Sequence, residues 1–342
     1  MPIEEDPYSL FYSLSPPTPI APPAATAARA MAPSRRDRMA GAVLGAAIGD
    51  AMGHPTEFLS MNAIRDRYGP DGVRGLELYW DREGRRFAPY TDDTQMAECV
   101  LRALLAEHDD LDKAMREMAG KFIEWAEHPQ GGHRAPGNAC LAGCRALSRG
   151  ANWSEAGGPT AGGCGSVMRS YPFGLVFSDD LTKAEDWAVN HSKLTHRDPI
   201  ALAASAAMAV GTARAVRGEE PEWVVSEMLA AACRYSAPTA VMIAEAIDDA
   251  RSGVGPGQTL DRLRGWAAHE AIAAAVYVFA RHPDDPSAAI LEGANTPGDS
   301  DSIATLAGAL TGARCGIGAL PEAWVRDVER SEELLKLTEE IR

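Results

Sequence analysis

From Ser34 onward, apolar positions return at helical intervals with polar residues between them, and residue-by-residue alternation is scarce. Stretches with this texture are 94–107, 112–127, 137–149, 183–190, 198–217, 221–234, 238–252, 258–280, 286–294, 302–316 and 322–340. In the first of them Val100, Leu101, Leu104 and Leu105 form one apolar face. An earlier segment, Arg38 to Ile48, is mostly small and apolar, as suits a buried central helix that its neighbours approach closely. Ser34 with Asp37 has the spacing of a capping box and marks where that helix begins. Ala201 to Ala215 is nearly all Ala, Met and Val, which favours helix and close packing. The best strand signal is the short run G-L-E-L-Y-W at 75–80. No repeat of 20–50 residues is evident. The pattern predicts an all-α protein, one large domain over residues 35–342, with functional loops between helices.

Residues 1–34 break the pattern. Pro2, Pro7, Pro16, Pro17, Pro19, Pro22, Pro23 and Pro33 fall among Ala and Ser, and proline both fixes φ and removes a backbone donor. This segment reads as a tail rather than a packed element. Tyr8 to Leu14 nevertheless carries aromatic and aliphatic anchors suited to docking on a partner or on the protein's own cleft.

Composition narrows the function. The 342 residues are 46% hydrophobic and 24% charged, ample for a large core. Length alone would suggest two domains at about 150 residues each, but the helical texture is continuous. The net charge is -15, with a pI near 5.0. Such a surface repels phosphate backbones, which argues against direct nucleic-acid binding, and any anionic ligand needs a local reversal of the field. None of the six cysteines forms a C-x-x-C pair, and their spacing is irregular. They read as free thiols in a reducing, cytoplasmic compartment. No stretch approaches the ~18–20 apolar residues of a membrane span, and the start, with Glu4, Glu5 and Asp6, lacks the features of a secretory signal.

Five constellations carry candidate chemistry. The first is Thr91, Asp92, Asp93 and Thr94 directly before an apolar helix, and the second is Asp299, Ser300, Asp301 and Ser302 before another. In an extended turn Asp299 and Asp301 would point the same way. Taken singly, each cluster is explained by helix capping. Capping, however, needs one or two oxygens, and together the clusters offer four carboxylates plus hydroxyls. That is enough hard oxygen for two Mg²⁺ or Mn²⁺ ions, and such a concentration repels itself without cations. No H-E-x-x-H and no Cys/His set is present, so zinc is disfavoured. The third motif, G-A-V-L-G-A-A-I-G-D-A-M-G-H-P-T-E-F over 41–58, runs through Asp50, breaks near Gly53 and Pro55, and delivers Glu57 on a loop. Glu57 is a general acid/base, a metal ligand or a solvated surface acid; the last is commonest. The fourth holds Gly162, Gly163, Cys164, Gly165 and Ser166, whose backbone N–H groups can face an anion. A Gly-rich loop alone is more often a mere turn, and no P-loop sequence follows. The fifth is His196 in L-T-H-R-D-P, opening the Ala-rich helix; a lone His there is more often a cap or packing residue.

In order and spacing these motifs resemble the ADP-ribosylglycohydrolase family, which includes the dinitrogenase reductase-activating glycohydrolase and the ADP-ribosyl-acceptor hydrolases. The pieces that match are the 41–58 segment, Y-T-D-D-T-Q-M, G-C-G-S-V-M-R-S-Y-P-F-G-L, L-T-H-R-D-P and G-D-S-D-S-I-A-T-L-A-G-A-L-T-G-A, spanning about 36–330. The resemblance implies an orthogonal multi-helix bundle with a binuclear Mg²⁺ or Mn²⁺ centre in a cleft. It implies Thr91, Asp92, Asp93, Asp299, Asp301 and Ser302 as metal ligands, and Glu57 beside the substrate. It places Gly162 to Ser166 around the diphosphate and His196 near ribose and diphosphate. One departure is Cys164, where many relatives have Asn. Backbone contacts of that loop are unaffected by the change.

The implied reaction cleaves the bond from the ribose anomeric carbon to a side-chain nitrogen or oxygen of a mono-ADP-ribosylated protein, releasing ADP-ribose. The transition state resembles an oxocarbenium ion. Asp93, Glu57 and Asp301 are the catalytic candidates, with Asp93 or Glu57 first in line to shuttle the proton. The fourth motif is more similar to the arginine-type members. Some bacterial relatives of that type are immunity proteins against ADP-ribosylating toxins, so the arm over 1–34 becomes a candidate for blocking a cognate ADP-ribosyltransferase toxin. Rival readings are a non-catalytic binder of ADP-ribose or of a toxin, and a hydrolase of serine-linked or free ADP-ribosyl compounds.

Overall fold

Ser34 starts the first helix as its spacing predicts: its hydroxyl accepts from Asp37 N–H, and the Asp37 carboxylate accepts from Ser34 N–H at 3.0 Å. A computed structural model describes residues 32–82 and 84–341. Residues 1–31 of the Pro-rich arm, and with them the docking expectation at Tyr8 to Leu14, lie outside the described residues.

The helices in chain order are α1 (Arg35–Gly53), α2 (Met61–Tyr68), α3 (Asp92–Ala106), α4 (Leu111–Glu127), α5 (Asn138–Ser148) and α6 (Tyr171–Val176). Then come α7 (Leu181–Ser192), α8 (Pro199–Val216), α9 (Pro221–Cys233), α10 (Ala237–Arg251) and α11 (Pro256–Arg262). The last are α12 (Ala268–Arg281), α13 (Pro286–Ala294), α14 (Ser300–Cys315), α15 (Glu322–Asp327) and α16 (Ser331–Glu339). The fold is all-α. Its one sheet among the described residues is a hairpin of β1 (Trp80–Arg82) and β2 (Arg85–Phe87), with Trp80 opposite Phe87. That corrects the expected extended run at 75–80, of which only Trp80 joins a strand.

Helices α1 and α14 form the centre, antiparallel and in backbone contact. A Cβ on Gly41, Gly45 or Gly49 would fall 2.1–2.3 Å from the carbonyl oxygen of Gly312, Gly308 or Ala304. A Cβ on Gly53 would fall 2.5 Å from Asp301 Cα. Glycine every fourth residue keeps one face of α1 bare, so the end of α1 lies against the start of α14. The acids of two distant sequence segments therefore meet because side chains are missing between the helices.

Two predicted helices are each broken. The stretch 258–280 divides into α11 and α12, with Gly265 at φ +85° between them. Its freed backbone groups pair elsewhere. Arg264 C=O accepts from Asp299 N–H (2.8 Å), Trp266 C=O accepts from Cys164 N–H (3.2 Å), and Ala268 N–H donates to Gly162 C=O (2.8 Å). The stretch 322–340 divides into α15 and α16, because Asp327 and Glu329 pair with both backbone groups of Ala88, and Arg330 turns left-handed at φ +52°. Periodicity is blind to such long-range partners.

Helix α8 corrects another expectation. It is long and apolar enough to cross a membrane by length and composition, and it is mostly buried inside this protein. All six cysteines are free.

Candidate active site

Asp50 anchors one acidic cluster. Fully buried near the end of α1, it accepts from Thr91 N–H (2.9 Å), Thr94 N–H (3.0 Å) and the Thr94 hydroxyl (2.6 Å). It thereby caps α3 from a neighbouring helix, while Thr91 is the local N-cap and accepts from Asp93 N–H at 3.3 Å. Asp92 and Asp93 stand in the first turn of α3, two residues earlier than the expected helix start. The second cluster is helical too, not an extended turn: Asp299 is the N-cap of α14 and Asp301 lies inside it. Ser302 links the clusters by donating from its hydroxyl to Asp93 Oδ2 at 2.9 Å. Gly298, at φ +108°, leaves no room for a Cβ against Arg264 C=O, and its own carbonyl accepts from Phe58 N–H at 3.0 Å. Glu57 follows the 3₁₀ turn His54–Thr56 that ends α1.

These residues border a cavity of about 400 Å³. Glu57, Asp92, Asp93, Asp299, Asp301 and Ser302 form its acidic wall. Gly163, Cys164, Gly165 and His196 face them, with 135–139 at one side and Phe58 and Trp266 at the mouth. Thr91, Gly162 and Ser166 do not border the cavity. Thr91 is buried beneath the acids, Gly162 supports the loop through its carbonyl, and the Ser166 hydroxyl accepts from Ser192 at 2.9 Å behind the loop. Among the described residues, no lysine or arginine lines the cavity.

The electrostatics follow. Burial first, and the charge of Asp301 next, hold the carboxyls of Asp92, Asp93 and Asp299 well above the usual carboxylate range. Burial pushes Asp50 up to about 6 and Glu57 up to about 7. Glu57 raises His54, whose Nδ1 is 3.6 Å from Glu57 Oε2, the separation of an ion pair rather than of a formed hydrogen bond. Burial and then the Arg169 charge push His196 down to about 3. Buried carboxylates whose one basic neighbour among the described residues is His54, supplemented by hydroxyls, suit hard divalent cations. Potential ligand atoms of His54, Glu57 and Asp301 all lie within 4.8 Å of one another. The donor set fits the metals that the resemblance implies.

The family model described as ADP-ribosylglycohydrolase matches residues 31–342. The chain belongs to the ADP-ribosylglycohydrolase family. The ADP-ribosylarginine hydrolase Tri1 of Pseudomonas putida (strain GB-1) is 30% identical over 318 residues, covering 89% of this chain and 78% of that protein. The ADP-ribosyl-[dinitrogen reductase] glycohydrolase of Rhodospirillum rubrum is 26% identical, covering 91% and 95%. The ADP-ribosylhydrolase ARH3 of Homo sapiens is 26% identical, covering 86% and 90%. A solved ADP-ribosylglycohydrolase-related protein complex shares the fold, with a TM-score of 0.66 at 24% identity, covering 90% of this chain and 98% of that one.

Within this family member the structure adds residues that the motif reading left without a role. Asp50 holds the α3 terminus. Phe58 and Trp266 stack at the mouth, rings 5.0 Å apart and 18° from parallel. They are 67% and 41% exposed, unusual for large apolar side chains. Phe58 adopts φ +64°, which a lone aromatic following Pro55 and Glu57 does not announce. Arg169, just past the glycine loop, is fully buried behind it.

Proposed function

We propose that this chain hydrolyses the N-glycosidic bond between ADP-ribose and a protein arginine, using two Mg²⁺ or Mn²⁺ ions held by Asp92, Asp93, Asp299, Asp301 and Ser302, with Thr91 supporting them from beneath. One observation carries the reading: a cavity walled by buried carboxylates, with no lysine or arginine among the described residues that line it. Such a field favours divalent cations and a guanidinium leaving group alike. The similarity to an ADP-ribosylarginine hydrolase supports it.

When bound, the cations supply positive charge that orients ribose hydroxyls and acidifies water. The chain's own residues do the rest. The bond between Ser302 and Asp93 holds the two acidic helix starts in register. Asp50 locks α3 against α1 and has all three of its hydrogen bonds committed to that task. Glu57 stands on a turn beside His54, where burial raises its carboxyl above the usual range in the metal-free protein, and it is placed to exchange a proton with the departing guanidine. Gly163 and Gly165 let the opposite wall approach phosphate oxygens by backbone N–H groups. In this reading residues 1–34 dock a cognate ADP-ribosylating toxin. Their removal then weakens toxin binding and spares hydrolysis; unchanged binding rejects that role.

The deciding assay follows ADP-ribose release from arginine-linked and serine-linked ADP-ribosyl proteins, with Mg²⁺ or Mn²⁺ and with EDTA. Release from the arginine substrate, lost in EDTA, is expected. Release from the serine substrate alone overturns the linkage, and undiminished release in EDTA overturns the metal requirement.

A further inference from the structure

Arg169 is a fully buried cation with no ion pair among the described residues. Its Nη2 donates to Thr195 Oγ1 at 2.6 Å, and its Nη1 donates to the Gly165 carbonyl. Its remaining neighbours are soft or neutral: Met96 Sδ at 3.1 Å, Cys140 Sγ at 3.5 Å and the Phe122 ring at 4.5 Å. An arginine buried without a carboxylate is costly, and it cannot shed its proton. It sits directly behind the glycine loop and behind His196.

The hydrogen-bond count at Thr195 then determines the state of His196. Thr195 Oγ1 is 2.7 Å from His196 Nδ1. A hydroxyl has one hydrogen to give, and Arg169 can only donate. If Nδ1 carried a proton, Thr195 Oγ1 would receive two hydrogens, and its own would have no acceptor among the described residues. The consistent arrangement has Thr195 O–H donating to an unprotonated Nδ1, which leaves the ring proton on Nε2. That atom makes no hydrogen bond among the described residues, and it lies 3.3 Å from where a Cβ of Gly165 would stand. Gly165 and His196 line the same cavity. The Gly165 carbonyl is held back toward Arg169, so the trans peptide aims Ser166 N–H the opposite way.

We propose that Arg169 is a positioning residue that acts through Thr195 to hold His196 as a neutral imidazole protonated on Nε2. His196 is thereby a hydrogen-bond donor to a phosphate or ribose oxygen of the ligand, and not a base. One buried guanidinium thus sets a donor on the cavity wall, His196 Nε2–H, while its own charge stays behind it. The low pKa of His196 agrees, since burial and Arg169 disfavour the imidazolium. The assignment of the recipient oxygen rests on the proposed function, whereas the tautomer does not.

The test is long-range ¹H–¹⁵N correlation of the full chain, with the His196 signals identified by their loss in His196→Asn. Nδ1 is expected in the unprotonated range and Nε2 in the protonated range, unchanged from pH 5 to 8. Thr195→Val should disturb that pattern and weaken binding of free ADP-ribose by roughly five- to tenfold, the worth of one hydrogen bond. Thr195→Ser should restore both. Arg169→Met is the harsher variant and is read only where circular dichroism reports a native fold; the threonine pair decides the matter without it. A protonated Nδ1, a His196 that titrates between pH 5 and 8, or a Thr195→Val spectrum like the parent's would overturn the relay. The expected tautomer in a protein that releases no ADP-ribose from either substrate supports the relay and rejects the proposed function instead.

Discussion

The two long walls of the cavity are built from opposite materials. The acidic wall is made of helix starts: α3 and α14 present Asp92, Asp93, Asp299 and Asp301, and α1 holds them together through Asp50 and the glycine ladder. Its charge points into the cavity. The facing wall is made of loop: Gly163 to Gly165 and His196, with the one full charge, Arg169, turned to the back. There the cavity meets neutral donors. The ligand of the proposed function, anionic at its diphosphate and cationic at its guanidinium, would meet a different chemistry on each side. Charge aimed inward demands counter-ions, whereas charge stored behind a wall serves to orient dipoles.

The comparison breaks hardest at the carboxylates. Asp93→Asn and Asp301→Asn should each cut metal-dependent release of ADP-ribose by on the order of 10²–10⁴, the range for losing a catalytic charge or proton carrier. Full rates in both variants would reject the acidic wall as the metal site.

Next in size is the support of that wall. Gly45→Ala puts a Cβ 2.2 Å from Gly308 C=O. It should lower stability in denaturant titration by about 1–3 kcal/mol, the cost of overpacking. Gly257→Ala, in open space on α11, should leave stability unchanged or raised by about 0.5–1 kcal/mol. Equal losses in both would refute the close approach of α1 and α14.

The pH dependence of the metal-free protein sharpens the contrast. Asp50 and Glu57 have folded pKa values raised to about 6 and about 7, above the unfolded values of about 4. Each carboxyl thus binds more protons folded than unfolded in that interval, so stability falls as pH rises from 4 to 7. Thermal unfolding in EDTA should show this decline, and added Mg²⁺ or Mn²⁺ should raise the midpoint more at pH 8 than at pH 5. A midpoint independent of pH and metal would contradict the buried charge. His196, on the other wall, pulls the opposite way: its folded pKa of about 3 lies below the unfolded value of about 6.5, so its own contribution to stability grows as pH rises through this range.

The smallest effect belongs to the rim. Phe58→Ala should remove the stack with Trp266 and raise KM about two- to tenfold with little change in kcat, given ~0.5–1.5 kcal/mol for an aromatic pair. A fall in kcat equal to that of Asp93→Asn would place Phe58 in the chemistry itself.

Much of the site was legible because its signals are local. Acids before apolar helices, glycines in a short run and a histidine before proline are visible within a few residues. The extended-turn reading of Asp299 and Asp301 failed because Asp299 N–H finds its acceptor at Arg264, a partner no local pattern reveals. The break between α11 and α12 was missed for the same reason. Asp50 stood in a quoted motif, but its task of capping a different helix depends on α1 reaching α3. Phe58 and Trp266 look like isolated aromatics until the chain brings them face to face.

By itself the sequence determined the all-α class, most of the long helices, the Ser34 cap and the family, since these rest on spacings of three or four residues along one chain, while α2 and the breaks before α12 and α16 escaped it. Only the tertiary structure decided that Ser302 bonds Asp93, that the glycine faces of α1 and α14 touch, and that Arg169 and His196 meet at Thr195. Those depend on which surfaces bury one another, a matter of packing the whole core at once.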